Sequence, residues 1–230
     1  MGRLSIESSL REKLPSFNFF WAEFRGIEIV PFSSEFLQAF EKEKASILKN
    51  YSLETLKNQE NISLTRQAFK ALGLDPARYR PSSEALLRRL LLNKEITFIN
   101  NAVDLINLLS LKYKLAMGIY DSDKIKGDLV IREGRESEEY LGINARLINC
   151  KSKIVLVDSQ GVVGSPYVDS QRTKVDWQSK NLIHVIYLVP SKFKEDFSEA
   201  RKLASHFLGG DISSYWKVET LRERGYNLGG

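Results

Sequence analysis

The chain is poor in the residues on which common enzyme chemistries rest. Its 230 residues hold one cysteine, Cys150, and two histidines, His184 and His206, far apart in sequence. A single thiol forms no intramolecular disulfide and this spacing makes no zinc-ligand pattern, so no metal and no other cofactor is expected. A phosphate-binding glycine loop, a G-x-S-x-G elbow, an H-E-x-x-H helix and a paired-cysteine motif are all absent. Their absence sets aside the usual nucleotide, serine-hydrolase, zinc-protease and thiol-redox chemistries. No apolar run approaches the roughly 18–20 residues of a membrane span, and the opening MGRLSIESSLREKLPSF has no apolar signal core. The expectation is a cytoplasmic protein. With no internal repeat and no low-complexity linker, residues 1–230 read as one compact unit.

Hydrophobic residues make up 43% of the chain and aromatics 10%, ample for a packed core. The formal charge is +5, which favours anionic partners such as nucleic acid without proving them. The cations are spread through Lys42, Lys44, Lys49, Arg78, Arg80, Arg88, Arg89, Lys112, Lys114, Lys151, Lys153, Arg222 and Arg224. That spread suits a broad phosphate-contacting face and an ordinary solvated surface equally well.

Residues 18–30 mix aromatic and β-branched side chains and read as a strand or bent hairpin around Gly26. Ser33 and Ser34 offer a cap to a charged helix ending near Tyr51, whose loose stripe of Phe36, Phe40, Ala45, Ile47 and Leu48 suits an outer layer. Ser63 precedes a further helix stopped by Gly73, and Ser82 or Ser83 caps the next, after Pro81. A third helical segment runs from about Asn101 to Tyr113. From Leu115 onward short β-rich segments alternate with polar turns and predict a sheet. Helical spacing returns after Ser191 and ends at Gly209 and Gly210, and 211–230 reads as a tail. The fold class is α+β: an N-terminal helical half, a mostly antiparallel sheet and a C-terminal helix.

The most informative stretch is a polar knot of Asn100, Asn101, Asp104, Asn107 and Ser110 threaded among Ile99, Val103, Leu105, Ile106, Leu108, Leu109 and Leu111. Buried polar groups cost about 1–3 kcal/mol each unless hydrogen-bonded, so the knot is either a structural network or a site. Asn100 and Asn101 serve as helix caps at least as well as ligands. Further candidates stand at strand ends and turns: Asp121, Arg132, Glu136, Glu138, Asp158, Asp169, Arg172 and Thr173. Each has a plain structural use. Asp121 and Asp158 fit Asx turns, and Arg132 fits a strand-end ion pair. His184 fits a strand face, and His206 the end of a helix, where its cation is favoured.

Taken together, RPSSEALLRR from Arg80, INNAVDLIN from Ile99, GIYD from Gly118, Lys124-Ile125-x-Gly127, Arg132 and Glu138 resemble a known pattern. It is that of the B3/B4 domain of the phenylalanyl-tRNA synthetase beta subunit, closest to its freestanding members, over roughly residues 63–207. The resemblance implies an aminoacyl-tRNA editing fold that hydrolyses mischarged aminoacyl-tRNA in trans, with tRNA as partner and no aminoacylation core. Carried over by position, Asn107 matches the family asparagine near the editing pocket, Asp104 the aspartate before it, and Asp121 the aspartate closing H-A-F-D. There are departures. Ile106 replaces the family threonine, Gly118 stands where the pattern has histidine, and the family's Gly-Gly turn falls in GVVGSPYVD. The strand NLIHVIYLV supplies no pocket glutamate.

Ester hydrolysis needs a positioned water, oxyanion stabilisation and side-chain discrimination, and the neighbouring ribose hydroxyl helps activate the water. In that scheme Asn107 and Ser110 position ester or water, with Asp104 beside them. Asp104 or Asp121 binds the amino group, and Arg132 or Arg172 meets the terminal phosphate or the oxyanion. Asn100, Asn101, Tyr120, Glu138, Asp169 and Thr173 complete the binding residues. Asp104, Asn107 and Tyr120 are expected in one concave site between the third helix and the sheet. The alternative is a non-catalytic module of the same fold that binds tRNA, an amino acid or a protein.

Overall fold

The computed structural model describes residues 3–194 and 196–221. The chain begins with β1 (Leu4–Ile6), α1 (Ser8–Lys13) and β2 (Phe17–Arg25), followed by α2 (Ser34–Asn50), α3 (Glu60–Ala71), α4 (Ser82–Leu91) and α5 (Asn101–Tyr113). The second half runs β3 (Met117–Asp121), β4 (Leu129–Glu133), β5 (Glu139–Leu141), β6 (Leu147–Asn149), β7 (Ile154–Asp158), β8 (Gly161–Gly164) and β9 (Leu182–Pro190). Helix α6 (Ser198–Leu208) and the short strands β10 (Asp211–Ile212), β11 (Trp216–Lys217) and β12 (Glu219–Thr220) follow.

Two sheets form, ordered β12-β1-β4-β7-β8 and β10-β2-β9-β3, with β11 also on β2 and β5-β6 as a separate hairpin. Pairing is antiparallel except at β1, which lies parallel to both β4 and β12. One core lies between the sheets and includes Ile6, Phe19, Ile131, Leu156, Val163, Ile183, Val185 and Tyr187. A second lies on the other face of the β2-β9-β3 sheet, where Phe24, Met117 and Ile186 meet Phe36, Phe40, Leu87, Leu105, Leu109, Ala200 and Ala204 of α2, α4, α5 and α6. The order of layers is therefore helices, sheet, sheet. β9 is buried at every position because it has helices on one face and a sheet on the other, which a nearly continuous apolar run accommodates. Burying one such large apolar side chain contributes about 1.5–3 kcal/mol.

Helix α2 is the expected outer layer, burying only Phe36, Phe40 and Ile47 and capped by Ser33, whose hydroxyl accepts from Phe36 N at 3.0 Å. Helix α5 spans the expected residues and ends where Lys114 adopts left-handed φ of 57°. Other boundaries differ. α3 starts three residues before Ser63, because the Gln59 side chain accepts from Ile62 N at 2.9 Å and caps it. α4 has no side-chain cap; instead Ser82 N donates to Pro166 O at 2.8 Å. α6 begins at Ser198, and described residues 192–197 before it are not helical. The expected tail is ordered as far as Leu221: β10 and β11 pair with β2, and β12 pairs with β1. The rest of that tail, 222–230, lies outside the described residues.

Candidate functional site

Four of the five knot residues, Asn100, Asn101, Asp104 and Ser110, are satisfied by backbone groups. Asn100 caps α5, its Oδ1 accepting from Val103 N at 3.0 Å. Asn101 clamps the segment after β2, accepting from Val30 N at 3.1 Å and donating to Glu28 O at 2.9 Å. Both oxygens of Asp104 accept from Ile99 N, at 2.9 and 3.1 Å. Burial lifts the Asp104 carboxyl to about 6, against the lowering effect of that bond. Ser110 donates to Leu115 O at 2.7 Å and ties the turn that leads into β3. Asn107 is half-buried and makes no side-chain hydrogen bond among the described residues.

The candidates at strand ends also have partners. Asp121 accepts from Asp123 N at 3.0 Å and Ser179 Oγ at 2.6 Å, and lies 3.2 Å from Lys124 Nζ, which reaches Asp176 at 2.6 Å. Arg132 and Glu138 form a two-bond pair at 2.9 and 2.6 Å, and that pairing holds the Glu138 carboxyl below its ordinary range. Arg172 pairs in the same way with Asp158, at 3.1 and 2.8 Å. Thr173 Oγ1 donates to Val163 O at 2.6 Å. Glu136 pairs with Lys151 at the surface.

The expected single concave site does not form from Asp104, Asn107 and Tyr120. Helix α5 packs on the helical face of its sheet, whereas Tyr120 points into the core between the sheets. Alternation along β3 puts Tyr120 on the same side as Gly118, and helical spacing alone carries no information about which face of a sheet a helix covers.

A different cluster gathers around Tyr120. Its hydroxyl lies 2.7 Å from that of Tyr187 on β9, and it also hydrogen-bonds the Asp169 carboxyl. Two glycines make room for the ring. A Cβ on Gly118 would come within 2.6 Å of Tyr120 Cζ and 2.9 Å of Asp169 Oδ1, and one on Gly164 of β8 within 2.7 Å of Tyr120 Cζ. Asp169 sits in the loop between β8 and β9 that covers the free edge of β3. Its carboxyl accepts from Ile119 N, and Thr173 O accepts from Asp121 N at 2.9 Å. Desolvation raises the Asp169 carboxyl to about 7 despite those two bonds, although the residue as a whole retains partial exposure. The Tyr120 phenol is pushed well above its ordinary value by burial first and by the Asp169 charge second.

The same loop is anchored by Tyr140, whose hydroxyl lies 2.8 Å from Ser165 Oγ and donates to Val168 O at 2.6 Å. Tyr167 packs on Phe69 of α3 with ring centres 4.8 Å apart, and its buried hydroxyl has no hydrogen-bond partner among the described residues. Tyr187, Tyr140 and Tyr167 were not among the sequence candidates. The available signal is that a tyrosine inside an apolar strand needs a hydrogen-bond partner. His184 is buried on the strand face, its Nδ1 2.8 Å from the Tyr215 hydroxyl, and burial lowers its pKa to about 3. His206, in the last turn of α6, pairs with Glu35.

The B3/4 domain model matches residues 64–205, more than half of the chain, and the chain belongs to that family. Among curated proteins it is similar to the phenylalanine-tRNA ligase beta subunit of Fusobacterium nucleatum, 24% identical over 157 residues that cover 66% of this chain and 17% of that protein. The beta subunit of Bartonella quintana is 34% identical over 87 residues, 37% of this chain and 11% of that protein. The chain thus spans less than a fifth of the length of these relatives. Among solved structures, an N-terminal fragment of the phenylalanyl-tRNA synthetase beta subunit from Pyrococcus horikoshii aligns with a TM-score of 0.46 at 15% identity, over 91% of this chain and 50% of that one. Among the described residues, no helix is long and apolar enough to cross a membrane and no group of residues is arranged to hold a metal ion.

Proposed function

We propose that this B3/4 domain acts in trans as an aminoacyl-tRNA hydrolase, with its reacting centre at Asp169 and Tyr120 and without aminoacylation activity. One observation carries the reading. Gly118 occupies the place where the family pattern has histidine, and the space above it is filled by a carboxyl raised to about 7 and a phenol. A carboxyl of that pKa supplies near neutrality what an imidazole would, a group that both accepts and returns a proton. The reaction is ester hydrolysis. Ionised Asp169 takes a proton from water as its oxygen bonds to the ester carbonyl carbon. The tetrahedral intermediate then collapses, breaking the bond to the ribose oxygen, which receives the proton back. The Tyr120 and Tyr187 hydroxyls orient Asp169, and the partial exposure of that residue supports access by water.

Arg172 remains a proposed contact, for the terminal phosphate.

The test is single-turnover deacylation of a panel of mischarged tRNAs by the purified chain and by Asp169→Asn. The reading expects one or more substrates to be hydrolysed above the buffer rate, with rates rising through pH 7 and falling at least 100-fold in the variant. No hydrolysis of any member would overturn it. A second reading, a binding module without turnover, is favoured by the close packing of the Tyr120 ring on Gly164, which fills the same space. Binding of tRNA without hydrolysis would establish it.

A further inference from the structure

The corner formed by α3, the turn after it and the start of α4 carries a concentration of positive charge. Lys57, Arg66 and Lys70 line a cleft of about 430 Å³ together with Gln67 and Asp75. Arg78 and Arg80 follow in the adjoining turn, where Arg78 N and Tyr79 N donate to Asp75 O at 3.1 and 2.9 Å. The carboxylates here are already committed. Asp75 accepts from Ala77 N at 2.8 Å, and Glu84, 1% exposed, lies 2.7 Å from Arg66 and 3.9 Å from Arg80. Lys57, Lys70, Arg78 and Arg80 remain exposed. Tyr79 is flanked by two cations, with Lys153 Nζ 4.5 Å and Arg78 5.3 Å from its ring centre.

This corner adjoins the loop that bears Asp169. Phe69 of α3 packs against Tyr167, two residues before Asp169, and Ser82 N donates to Pro166 O at 2.8 Å. We propose that the α3–α4 corner is the phosphate-contacting surface for RNA, with Lys57, Lys70, Arg78 and Arg80 tracking the backbone of the strand whose end reaches Asp169. The assignment rests on the hydrolase reading only for the destination of that strand. Exposed cations beside an aromatic ring are what a single-stranded nucleic-acid track requires. A membrane surface is disfavoured because no large apolar side chain between Leu48 and Leu92 is exposed.

The experiment measures the affinity of uncharged tRNA as a function of salt for three forms of the whole chain. These are the wild type, a corner triple variant (Lys57→Gln, Lys70→Gln, Arg78→Gln) and a control triple variant with the same loss of charge on α2 and α6 (Lys42→Gln, Lys49→Gln, Lys202→Gln). Thermal melting of each accompanies the binding. The corner variant is expected to bind about 10–100-fold more weakly at 0.1 M salt, with the slope of log affinity against log salt reduced by about 2–3, while the control stays within twofold of wild type. Equal losses in the two variants, or none in the corner variant, overturn the assignment, as does equal binding of the wild type to anionic phospholipid vesicles. If the corner variant loses tRNA binding while the wild type hydrolyses no mischarged tRNA, the surface stands and the hydrolase reading falls. Unchanged binding by the corner variant of an active wild type gives the reverse.

Discussion

Replacing Asp169 by asparagine separates the electrostatics of the cluster from its packing. The folded carboxyl sits at about 7 against an ordinary 3.8, so below about pH 4 both folded and unfolded chains hold the proton and no stability is lost. As pH rises from about 4 to 7 the unfolded chain releases a proton that the folded chain keeps, and stability falls; above about 7 the loss is complete. At 1.36 kcal/mol per pKa unit the full interval corresponds to ~4 kcal/mol, and partial exposure of the residue reduces this to about 2–4 kcal/mol. An asparagine still accepts from Ile119 N through its oxygen, and its amide donates to the Tyr120 oxygen, leaving that hydroxyl to donate to Tyr187. Asp169→Asn is therefore expected to lie within about 1 kcal/mol of the wild type near pH 4.5 and to exceed it by about 2–4 kcal/mol at pH 8, while hydrolysis is lost. Urea denaturation of both proteins at half-unit steps from pH 4.5 to 8 reads the difference directly. Because the other carboxylates are common to both proteins, a constant offset across that range would refute the reasoning.

Asn101→Ala leaves Val30 N and Glu28 O without their partner and is expected to cost about 2–4 kcal/mol in urea denaturation, whereas Asn107→Ala, at an uncommitted amide, costs less than about 0.5 kcal/mol. Gly118→Ala drives a methyl group into the Tyr120 ring and the Asp169 carboxyl. A loss of about 2–4 kcal/mol is expected from overpacking and the disturbed hydroxyl pair, and stability within 0.5 kcal/mol of wild type would contradict the packing described. Glu138→Gln leaves the largely buried Arg132 without its counter-charge. Since the Glu138 pKa is lowered on folding, the stability it contributes is present above the usual carboxylate range and vanishes as pH falls through the lowered value. The variant's deficit, about 2–4 kcal/mol at pH 7, should therefore shrink in acid.

The helical layer was legible because its signals are local. Apolar spacing in 101–113 and a capping asparagine give α5 its true bounds, and Phe36, Phe40 and Ile47 mark the one buried stripe of α2. The three-residue β1 was not, since its partners Leu129 and Glu219 are remote in sequence and nothing in LSI distinguishes a strand from a loop. The knot's buried polar character is legible in its alternation with apolar residues. Its partners, however, are backbone groups such as Ile99 N, Val30 N and Leu115 O, which no side-chain pattern records. Asp169 and Tyr120 were both named as candidates, but their meeting depends on a loop folding back over β3, and two glycines on different strands make the space. Sequence spacing holds no trace of that contact between a loop and a strand about fifty residues before it.

The eleven residues 211–221 cover an edge of each sheet: β10 and β11 lie along β2, and β12 completes the other sheet beside β1. During synthesis everything before Asp211 leaves the ribosome first, so for that interval the nascent chain exposes two unpaired strand edges, one of them carrying Phe20, Trp21 and Phe24. One short segment thus decides when both sheets stop being templates for other chains. Cleavage before Asp211, or a stalled ribosome there, would leave β1 and β2 as two sticky margins at once.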